Sequence, residues 1–189
     1  MIVIISGYAR SGKSTAADYF RSKGWVVFST SQLMHELARD LFRIFNLEVD
    51  TTQKGALLHA CVSQEAMASN ESEGFVGTSS SAVMTTRDFM SGFAEGVIKR
   101  HLTRDCLISA LIPKIHEVCE DRDVIIEVYN PEEYHSLSGY WLEVDRVLSI
   151  RSHRERADAD NRTLILGATQ IWNDGDFEEF FDKLDAAVA

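Results

Sequence analysis

The sequence predicts an α/β fold, a parallel sheet with helices on both faces. Short apolar runs alternate with helical patterns along most of the chain, an order typical of strands joined by helical crossovers. The first run, MIVIIS at residues 1–6, is apolar almost without a break, as expected for a central strand covered on both sides. A glycine-rich turn follows it, and a length of 189 residues suits one domain with a modest insertion.

The first third of the chain predicts two strands and two helices. After the first strand, residues 14–22 fit a helix that ends before Gly24, and residues 25–28 (WVVF) fit the second strand. Ser29 followed three residues later by Gln32 matches a capping box, so a second helix should begin there. Its apolar stripe, at helical spacing, is formed by Leu33, Leu37, Leu41 and Ile44.

The middle of the chain has the least regular pattern. Residues 56–67 fit a helix, whereas residues 69–81 (SNESEGFVGTSSS) have the Ser and Gly content of a loop. This loop is either an insertion that gates a substrate or a plain surface excursion. Further helices are predicted over residues 87–100 and 103–119, and Pro113 should bend or split the second of them.

The last third predicts three strands and two helices. Strands are expected at residues 124–128 (VIIEV), within residues 140–148 and at residues 169–172, and helices at residues 131–137 and 176–188. The terminal helix should place four apolar side chains on one face, namely Phe177, Phe180, Phe181 and Leu184.

The segment after the first strand carries the strongest functional signal. Residues 7–14 read GYARSGKS and fit G-x-x-x-x-G-K-[ST] without a mismatch. The two glycines let backbone amides curl around phosphate oxygens, and the helix that starts near Lys13 adds its positive end. We therefore predict binding of ATP and Mg²⁺, with Lys13 on the β- and γ-phosphates and Ser14 on the metal. The predicted cofactor-binding set is Gly7, Ala9, Arg10, Ser11, Gly12, Lys13, Ser14 and Thr15.

This phosphate loop does not name the reaction, because several classes of nucleotide-binding protein share it. The sequence contains no NKxD guanine signature and is short for a mechanochemical ATPase. A kinase that acts on small acceptors fits better.

Composition narrows the setting of the protein. The sequence has no run of 18 apolar residues and no basic leader, so we expect a cytoplasmic protein without a membrane partner. The cysteines, Cys61, Cys106 and Cys119, lack metal spacing and are expected to be reduced thiols. A formal net charge of −10 argues against non-specific binding to long nucleic acid, although arginines can still cluster at a site for anionic nucleotides.

Several segments, taken in order, resemble the bacteriophage deoxynucleoside monophosphate kinases, which are P-loop nucleotide kinases related to dephospho-CoA kinase. The segments are SGYARSGKSTAADYF (6–20), FSTSQLMHELARDLF (28–42), TTRDFMSGFAEGVIKR (85–100), VIIEVYNPEEY (124–134) and IWNDGDFEEFFDKLDAAV (171–188). The resemblance implies a P-loop nucleotide-kinase fold over residues 1–189. Within it, we expect a flexible insertion near residues 47–82 and a lid-like segment near residues 151–162.

The resemblance also implies an acceptor site. Arg87 would grip the acceptor, with Ser91 and Arg100 nearby, and Ser31 and Gln32 would touch its base or sugar. Plainer explanations are a surface ion pair for Arg87 and helix capping around Ser31 and Gln32.

Catalytic charge is predicted at two further places. Glu127 ends an apolar strand near the phosphate loop, where it would hold Mg²⁺ through water or accept the proton of the acceptor hydroxyl. The alternative is a solvated strand-end carboxylate. The arginine-rich residues 151–162 would close over the transferring group, with Arg151 and Arg154 as the catalytic candidates, or they form an exposed helix paired with acidic neighbours.

Three departures from the family pattern fall on the acceptor side. Glu127-Val-Tyr129 stands where the family has Asp-Val-Arg, an acidic residue expected near residues 31–32 is missing, and Ser91 replaces a glutamine. The predicted acceptor is a deoxynucleoside monophosphate. One alternative is 5-hydroxymethyluracil in phage DNA, in which case the protein works in the host cytoplasm, and another is a non-catalytic nucleotide-binding regulatory module. A homodimer is left open.

Overall fold

The computed structural model describes residues 1–44, 57–58, 84–85, 92, 105–129, 131–140, 142–154 and 165–189. Five strands form one parallel sheet: β1 (Ile2–Ser6), β2 (Val26–Ser29), β5 (Val124–Glu127), β6 (Arg146–Arg151) and β7 (Thr169–Trp172). Two short strands pair antiparallel, β3 (Leu57–Leu58) and β4 (Met84–Thr85). The described helices are α1 (Lys13–Ser22), α2 (Thr30–Ile44), α3 (Cys106–Cys119), α4 (Pro131–Ser138) and α5 (Phe177–Val188).

The chain forms two compact units. The first unit comprises Met1–Gln32 and Asp105–Ala189 and contains the parallel sheet. The second comprises Leu33–Arg104 and contains the β3–β4 pair. Helix α2 begins in the first unit and continues into the second. A single kinase domain with an insertion near residues 47–82 stays a prediction.

The order of the sheet places the phosphate loop at its centre. The strands run β2-β5-β1-β6-β7, and every neighbouring pair is parallel. Ile5 of β1 pairs with Glu127 of β5, and Ser6 pairs with Ser149 of β6. Since the carboxyl ends of parallel strands meet at one edge, the loop that follows β1 lies in the middle of that edge. The predicted α/β class is confirmed.

Helices cover both faces of the sheet. Val3 and Ile5 of β1 belong to a core cluster with Phe20 of α1 and Phe180 of α5. Side chains alternate along a strand, so Ile4 points to the opposite face. The connection from β1 to β2 runs in one direction along the sheet, and the connection from β2 to β5 runs in the other. Because crossovers between parallel strands are right-handed, α1 and α3 lie on opposite faces. Helix α3 contacts β2 and β5 and buries Ile108, Leu111, Ile112 and Ile115.

The structure refines two predictions for the C-terminal half of the chain. The strand predicted within residues 140–148 begins only at Arg146 and continues to Arg151. Asp145 explains the late start, because its carboxylate accepts the Ile2 N–H at 2.6 Å and its own N–H donates to Ile2 O at 2.9 Å. Pro113 does not split α3, which is continuous over Cys106–Cys119 with the proline exposed.

The capping prediction for α2 is confirmed, since the Gln32 N–H donates to Ser29 Oγ at 3.1 Å. On α5, Phe180 and Leu184 are fully buried, but Phe177 is 66% exposed and does not belong to the buried face. Its place at the first residue of the helix leaves it beyond the edge of the core.

The helix predicted over residues 56–67 is wrong at Leu57–Leu58, which form β3. The rest of that range lies outside the described residues, as do the loop at residues 69–81 and the helix at residues 87–100, apart from Gly92, which is helical. No helix in the described parts of the chain is both long and apolar enough to cross a membrane.

Candidate nucleotide site

The loop after β1 adopts a backbone that only glycine tolerates at two places. Gly7 has φ 148° and Gly12 has φ 103°, and Arg10 between them is left-handed with φ 64°. A Cβ atom at Gly7 would lie 2.4 Å from the carbonyl oxygen of Ile150, and one at Gly12 would lie 2.3 Å from Asn173 Nδ2. The φ angle disfavours a side chain at both positions, and the backbone carbonyl at Gly7 excludes one by contact as well. The curled backbone fits the predicted phosphate cradle.

The helix that follows presents an unneutralised positive end. Gly12 is the N-cap of α1, no side chain caps that end, and its first turn has no acidic residue. The Ser11 N–H closes the loop by donating to Tyr8 O at 3.2 Å, and the first helical bond of α1 runs from Ala16 N–H to Gly12 O at 2.9 Å. Ser11 Oγ is buried without a hydrogen-bond partner among the described residues. Unpaired helix amides and a buried hydroxyl fit an anion such as a phosphate group.

Lys13 is held close to the carboxyl end of β5. Its side chain is only 6% exposed, and its ammonium donates to Val128 O at 3.4 Å. The same nitrogen lies 4.0 Å from the centroid of the Tyr129 ring. Because a buried ammonium needs compensation, the carbonyl and the aromatic face together stabilise it here.

Glu127 ends β5 between Ser29 of β2 and Ile5 of β1 and is 7% exposed. The Tyr129 hydroxyl donates to Glu127 Oε1 at 3.3 Å. Burial and the Glu127 carboxylate raise the pKa of Tyr129 to about 12, against smaller opposing effects of hydrogen bonds with Ser31 and Ser29. The phenol therefore stays protonated and acts as a donor at neutral pH.

A second carboxylate fixes the turn that carries Tyr129. Glu133, in the first turn of α4, accepts the Tyr129 N–H at 2.6 Å through Oε2. Its other oxygen accepts the Thr30 hydroxyl at 3.1 Å. Glu133 of α4 thus links Thr30 at the start of α2 to Tyr129, and these two hydrogen bonds restrain the turn that carries Tyr129.

The opposite side of the loop carries a guanidinium between aromatic rings. The guanidinium carbon of Arg151 lies 5.0 Å from the ring centroid of Trp172 and 5.9 Å from that of Tyr8. Asn173 ties this corner together, since its N–H donates to Arg151 O at 2.8 Å and its Nδ2 donates to Ser11 O at 3.2 Å. His153 packs on Trp172 with centroids 5.5 Å apart.

The predicted site residues fall into three groups. The predicted cofactor-binding residues lie together in the loop and the first turn of α1, where Ser14 is exposed and Thr15 is half-buried. Lys13 and Glu127 share one neighbourhood through Tyr129, to which the hydroxyl of Ser31 also bonds, while Gln32 is exposed. Arg151 lies on the other side of the loop, and Arg154 is exposed. Outside the described residues are Arg87, Ser91, Arg100 and residues 155–162.

No group of three or more His, Cys, Asp and Glu side chains in the described parts of the chain could hold a metal ion. The magnesium site predicted at Ser14 and Glu127 has one carboxylate and one hydroxyl, and it stays a prediction. Such a sparse set fits Mg²⁺, which usually keeps several waters and uses one or two carboxylates plus substrate phosphates.

Sequence reasoning assigned no role to the three aromatic side chains around the loop, Tyr8, Trp172 and Tyr129. Tyr8 and Trp172 gave no usable signal, because aromatic residues at these places fit a strand or a turn equally well. Tyr129 did give one, since it stands where an arginine was expected.

The fold and the site together define an α/β protein with a glycine-rich phosphate loop after the central strand of a parallel sheet. No protein-family model and no curated protein matches the chain. Among solved structures, the chain is similar to the protein TT1252 from Thermus thermophilus, with 18% identity, a TM-score of 0.47 and coverage of 100% of this chain and 96% of that one. It is also similar to an unliganded sugar kinase from a Janibacter species, with 13% identity, a TM-score of 0.48 and coverage of 99% and 93%.

Proposed function

We propose that the protein is an ATP-dependent phosphotransferase that moves the γ-phosphoryl group onto a deoxynucleoside monophosphate. One observation carries the proposal: the buried ammonium of Lys13 lies at the carboxyl edge of the sheet, between a glycine-rich phosphate loop and the strand that ends in Glu127. Phosphoryl transfer needs a cation on the phosphates and a group that handles the acceptor proton, and the two are neighbours here.

The donor side fits ATP and Mg²⁺. The bound nucleotide with its metal would supply the transferable group and a divalent charge. The chain contributes curled amides between Gly7 and Gly12, the positive end of α1 and the Lys13 ammonium. Ser14 and Glu127 would provide the hydroxyl and carboxylate that the metal prefers.

The base of the nucleotide has a candidate surface on the other side of the loop. Arg151 lies against Trp172 and Tyr8, and guanidinium and aromatic planes are the surfaces on which bases stack. In this arrangement Arg151 would contact the base of ATP. The catalytic arginine predicted in residues 151–162 would then be another one, such as Arg154.

The acceptor side supports a reaction at a hydroxyl or phosphate oxygen held beside Glu127. Its carboxylate would accept the proton or hold the metal through water, while Ser31 and Gln32 would meet the base or sugar. The resemblance further assigns Arg87, Ser91 and Arg100 to the acceptor phosphate. The proposed partner is therefore a free nucleotide, and no association with a membrane is proposed. A homodimer remains a proposal to be measured by light scattering.

A second acceptor is favoured by one specific observation. Tyr129 stands where the resemblance implies an arginine, so a phenol contacts Glu127 in place of a second cation beside Lys13, and the hydroxyls of Ser29 and Ser31 bond to that phenol. Such groups recognise a neutral hydroxyl better than a phosphate dianion, as expected for the hydroxymethyl group of a modified pyrimidine in DNA.

The decisive experiment is an ADP-release assay with ATP, Mg²⁺ and a panel of nucleoside monophosphates. We expect at least one deoxynucleoside monophosphate to accelerate ADP release. Lys13→Ala should abolish the acceleration, whereas Lys114→Ala, which changes an exposed lysine of α3, should retain it. The proposal is wrong if no monophosphate is turned over.

The same protein preparation separates the alternatives. Labelled phosphate that enters DNA containing 5-hydroxymethyluracil, but no free nucleotide, would select the second acceptor. ATP binding that persists while neither acceptor speeds ADP release would select a regulatory nucleotide-binding module instead.

A further inference from the structure

Tyr129 makes two different contacts with the reactive groups of the proposed site. The face of its ring meets the ammonium of Lys13 with 4.0 Å between Nζ and the centroid. The hydroxyl at the end of the same ring donates to Glu127 Oε1 at 3.3 Å. One rigid side chain therefore touches the lysine of the phosphate loop and the carboxylate at the end of the neighbouring strand.

The ring contact restricts where the ammonium can lie. The aromatic face attracts a cation through its quadrupole, and Val128 O accepts a hydrogen bond from the same nitrogen at 3.4 Å. A flexible four-carbon lysine stem would otherwise sample many rotamers. Ring and carbonyl together hold the charge at the edge of the loop, ready for a phosphate oxygen.

The hydroxyl contact restricts Glu127 in the same way. An ionised carboxylate only accepts hydrogen bonds, and the Tyr129 hydroxyl is the donor in the bond to Glu127 Oε1. The backbone of Tyr129 is also restrained, because its N–H donates to Glu133, which accepts a second hydrogen bond from the Thr30 hydroxyl. The ring consequently has a defined place from which to orient both partners.

We infer that Tyr129 is a positioning residue that aligns the phosphate-loop lysine with its ring and the strand-end carboxylate with its hydroxyl. The inference rests on the proposed function, because it assigns Lys13 to the donor and Glu127 to the acceptor. It predicts that removing the hydroxyl lowers kcat alone, whereas removing the ring also weakens nucleotide affinity. A purely structural tyrosine would not divide its effects between kcat and affinity in this way.

Two substitutions separate these contacts. Tyr129→Phe keeps the ring over Lys13 and removes the bond to Glu127, so kcat should fall about 10-fold or more while affinity for a non-hydrolysable ATP analogue with Mg²⁺ stays within about twofold. Tyr129→Leu removes the ring as well, so affinity for the analogue should weaken about 3- to 30-fold in calorimetry. The inference is overturned if both variants weaken the analogue equally or if neither does.

A matched control removes a hydroxyl elsewhere. Tyr140 lies after α4, and its hydroxyl is bonded to Ser109 of α3. Tyr140→Phe should leave kcat and analogue affinity within about twofold of the wild type. Should the control fall as far as Tyr129→Phe, the loss at Tyr129 would be general destabilisation and the inference would fail.

A further measurement needs neither nucleotide nor acceptor. The unfolding free energies of Lys13→Met, Tyr129→Leu and the double variant form a cycle that measures the ring–ammonium coupling. We expect the second substitution to cost less once the first is present, and additive effects would overturn the ring contact. A wild-type protein that binds no ATP analogue would remove the proposed function, while this cycle would still judge the contact.

Discussion

The contact between the phosphate loop and the turn after β7 leads to a prediction about Gly12 and Asn173. Asn173 Nδ2 donates to Ser11 O at 3.2 Å, and the same nitrogen lies 2.3 Å from the place that a Cβ atom would take at Gly12. An alanine at position 12 must therefore push the amide away and break this bond. The two positions should be energetically coupled.

The magnitude follows from two costs. Gly12→Ala forces a side chain into φ 103°, which costs about 1–3 kcal/mol as backbone strain. Asn173→Ala alone loses a hydrogen bond of about 1 kcal/mol. In the Gly12→Ala protein that bond is already broken, so removing the amide should cost about nothing. The expected coupling is about 1 kcal/mol, or roughly 2–4 °C in Tm for a chain of this length.

The assay is urea unfolding of the wild type, both single variants and the double variant. Gly24 provides the control, because it also has a positive φ of 91° but no atom within 4 Å of its Cβ position. Gly24→Ala should lower stability by a similar strain energy and combine additively with Asn173→Ala. The reasoning is refuted if Gly12→Ala and Asn173→Ala add within about 0.5 kcal/mol, the usual limit for independent sites.

Three further predictions concern the core, a surface cluster and Tyr129. Phe180→Ala, at a fully buried position, should destabilise the protein by about 3–5 kcal/mol in urea unfolding, whereas Phe177→Ala should change stability by less than about 0.5 kcal/mol. The hydrogen bond from Lys23 is the main reason that the pKa of Asp185 is lowered, so Asp185→Asn should destabilise at neutral pH, and the difference should vanish as pH falls through the lowered pKa. Tyr129, with its pKa raised to about 12, should ionise after an ordinary tyrosine, so its contribution to stability is present below about pH 10 and is lost towards pH 12; ultraviolet titration should show a late component that Tyr129→Phe lacks.

Each of these expectations has a result that contradicts it. Equal losses for Phe180→Ala and Phe177→Ala would mean that α5 packs differently. A stability difference for Asp185→Asn that persists at pH 2 would mean that charge is not its cause. A titration curve of Tyr129→Phe that keeps the whole late component would assign that component to another group, such as Tyr19, whose pKa is also raised by burial.

The sequence predicts the elements of the fold correctly where the pattern that indicates them lies within a few residues. Residues 1–5 and 124–126 are continuous apolar runs, as is typical of central strands of a parallel sheet, and they lie in the strands β1 and β5. The capping pair Ser29 and Gln32 is also local, and its hydrogen bond is present. The late start of β6 could not be predicted from the sequence, because it depends on hydrogen bonds between Asp145 and Ile2, which are 143 residues apart.

The candidate site divides in the same way. The glycine positions of the phosphate loop follow from backbone geometry within eight residues, and the positive φ angles of Gly7 and Gly12 match that reading. Lys13 and Val128, by contrast, are 115 residues apart, and Asn173 and Ser11 are 162 residues apart. Contacts of that separation depend on strand order, which the sequence pattern left unspecified.

This difference bears on how the two substrates would be recognised. In the proposed function, donor recognition would depend on backbone amides and a helix end, which tolerate many side-chain changes outside the glycines and Lys13. Acceptor recognition would depend on side chains from several segments, and Tyr129 differs in both charge and shape from the arginine that the resemblance implies at this position. Because Tyr129 also contacts Lys13, a change of acceptor chemistry at this position alters the donor lysine as well. Affinity for the ATP analogue and acceptor preference should therefore change together in variants that remove the Tyr129 ring, such as Tyr129→Leu, and independently in variants of Gln32, which is exposed at the start of α2.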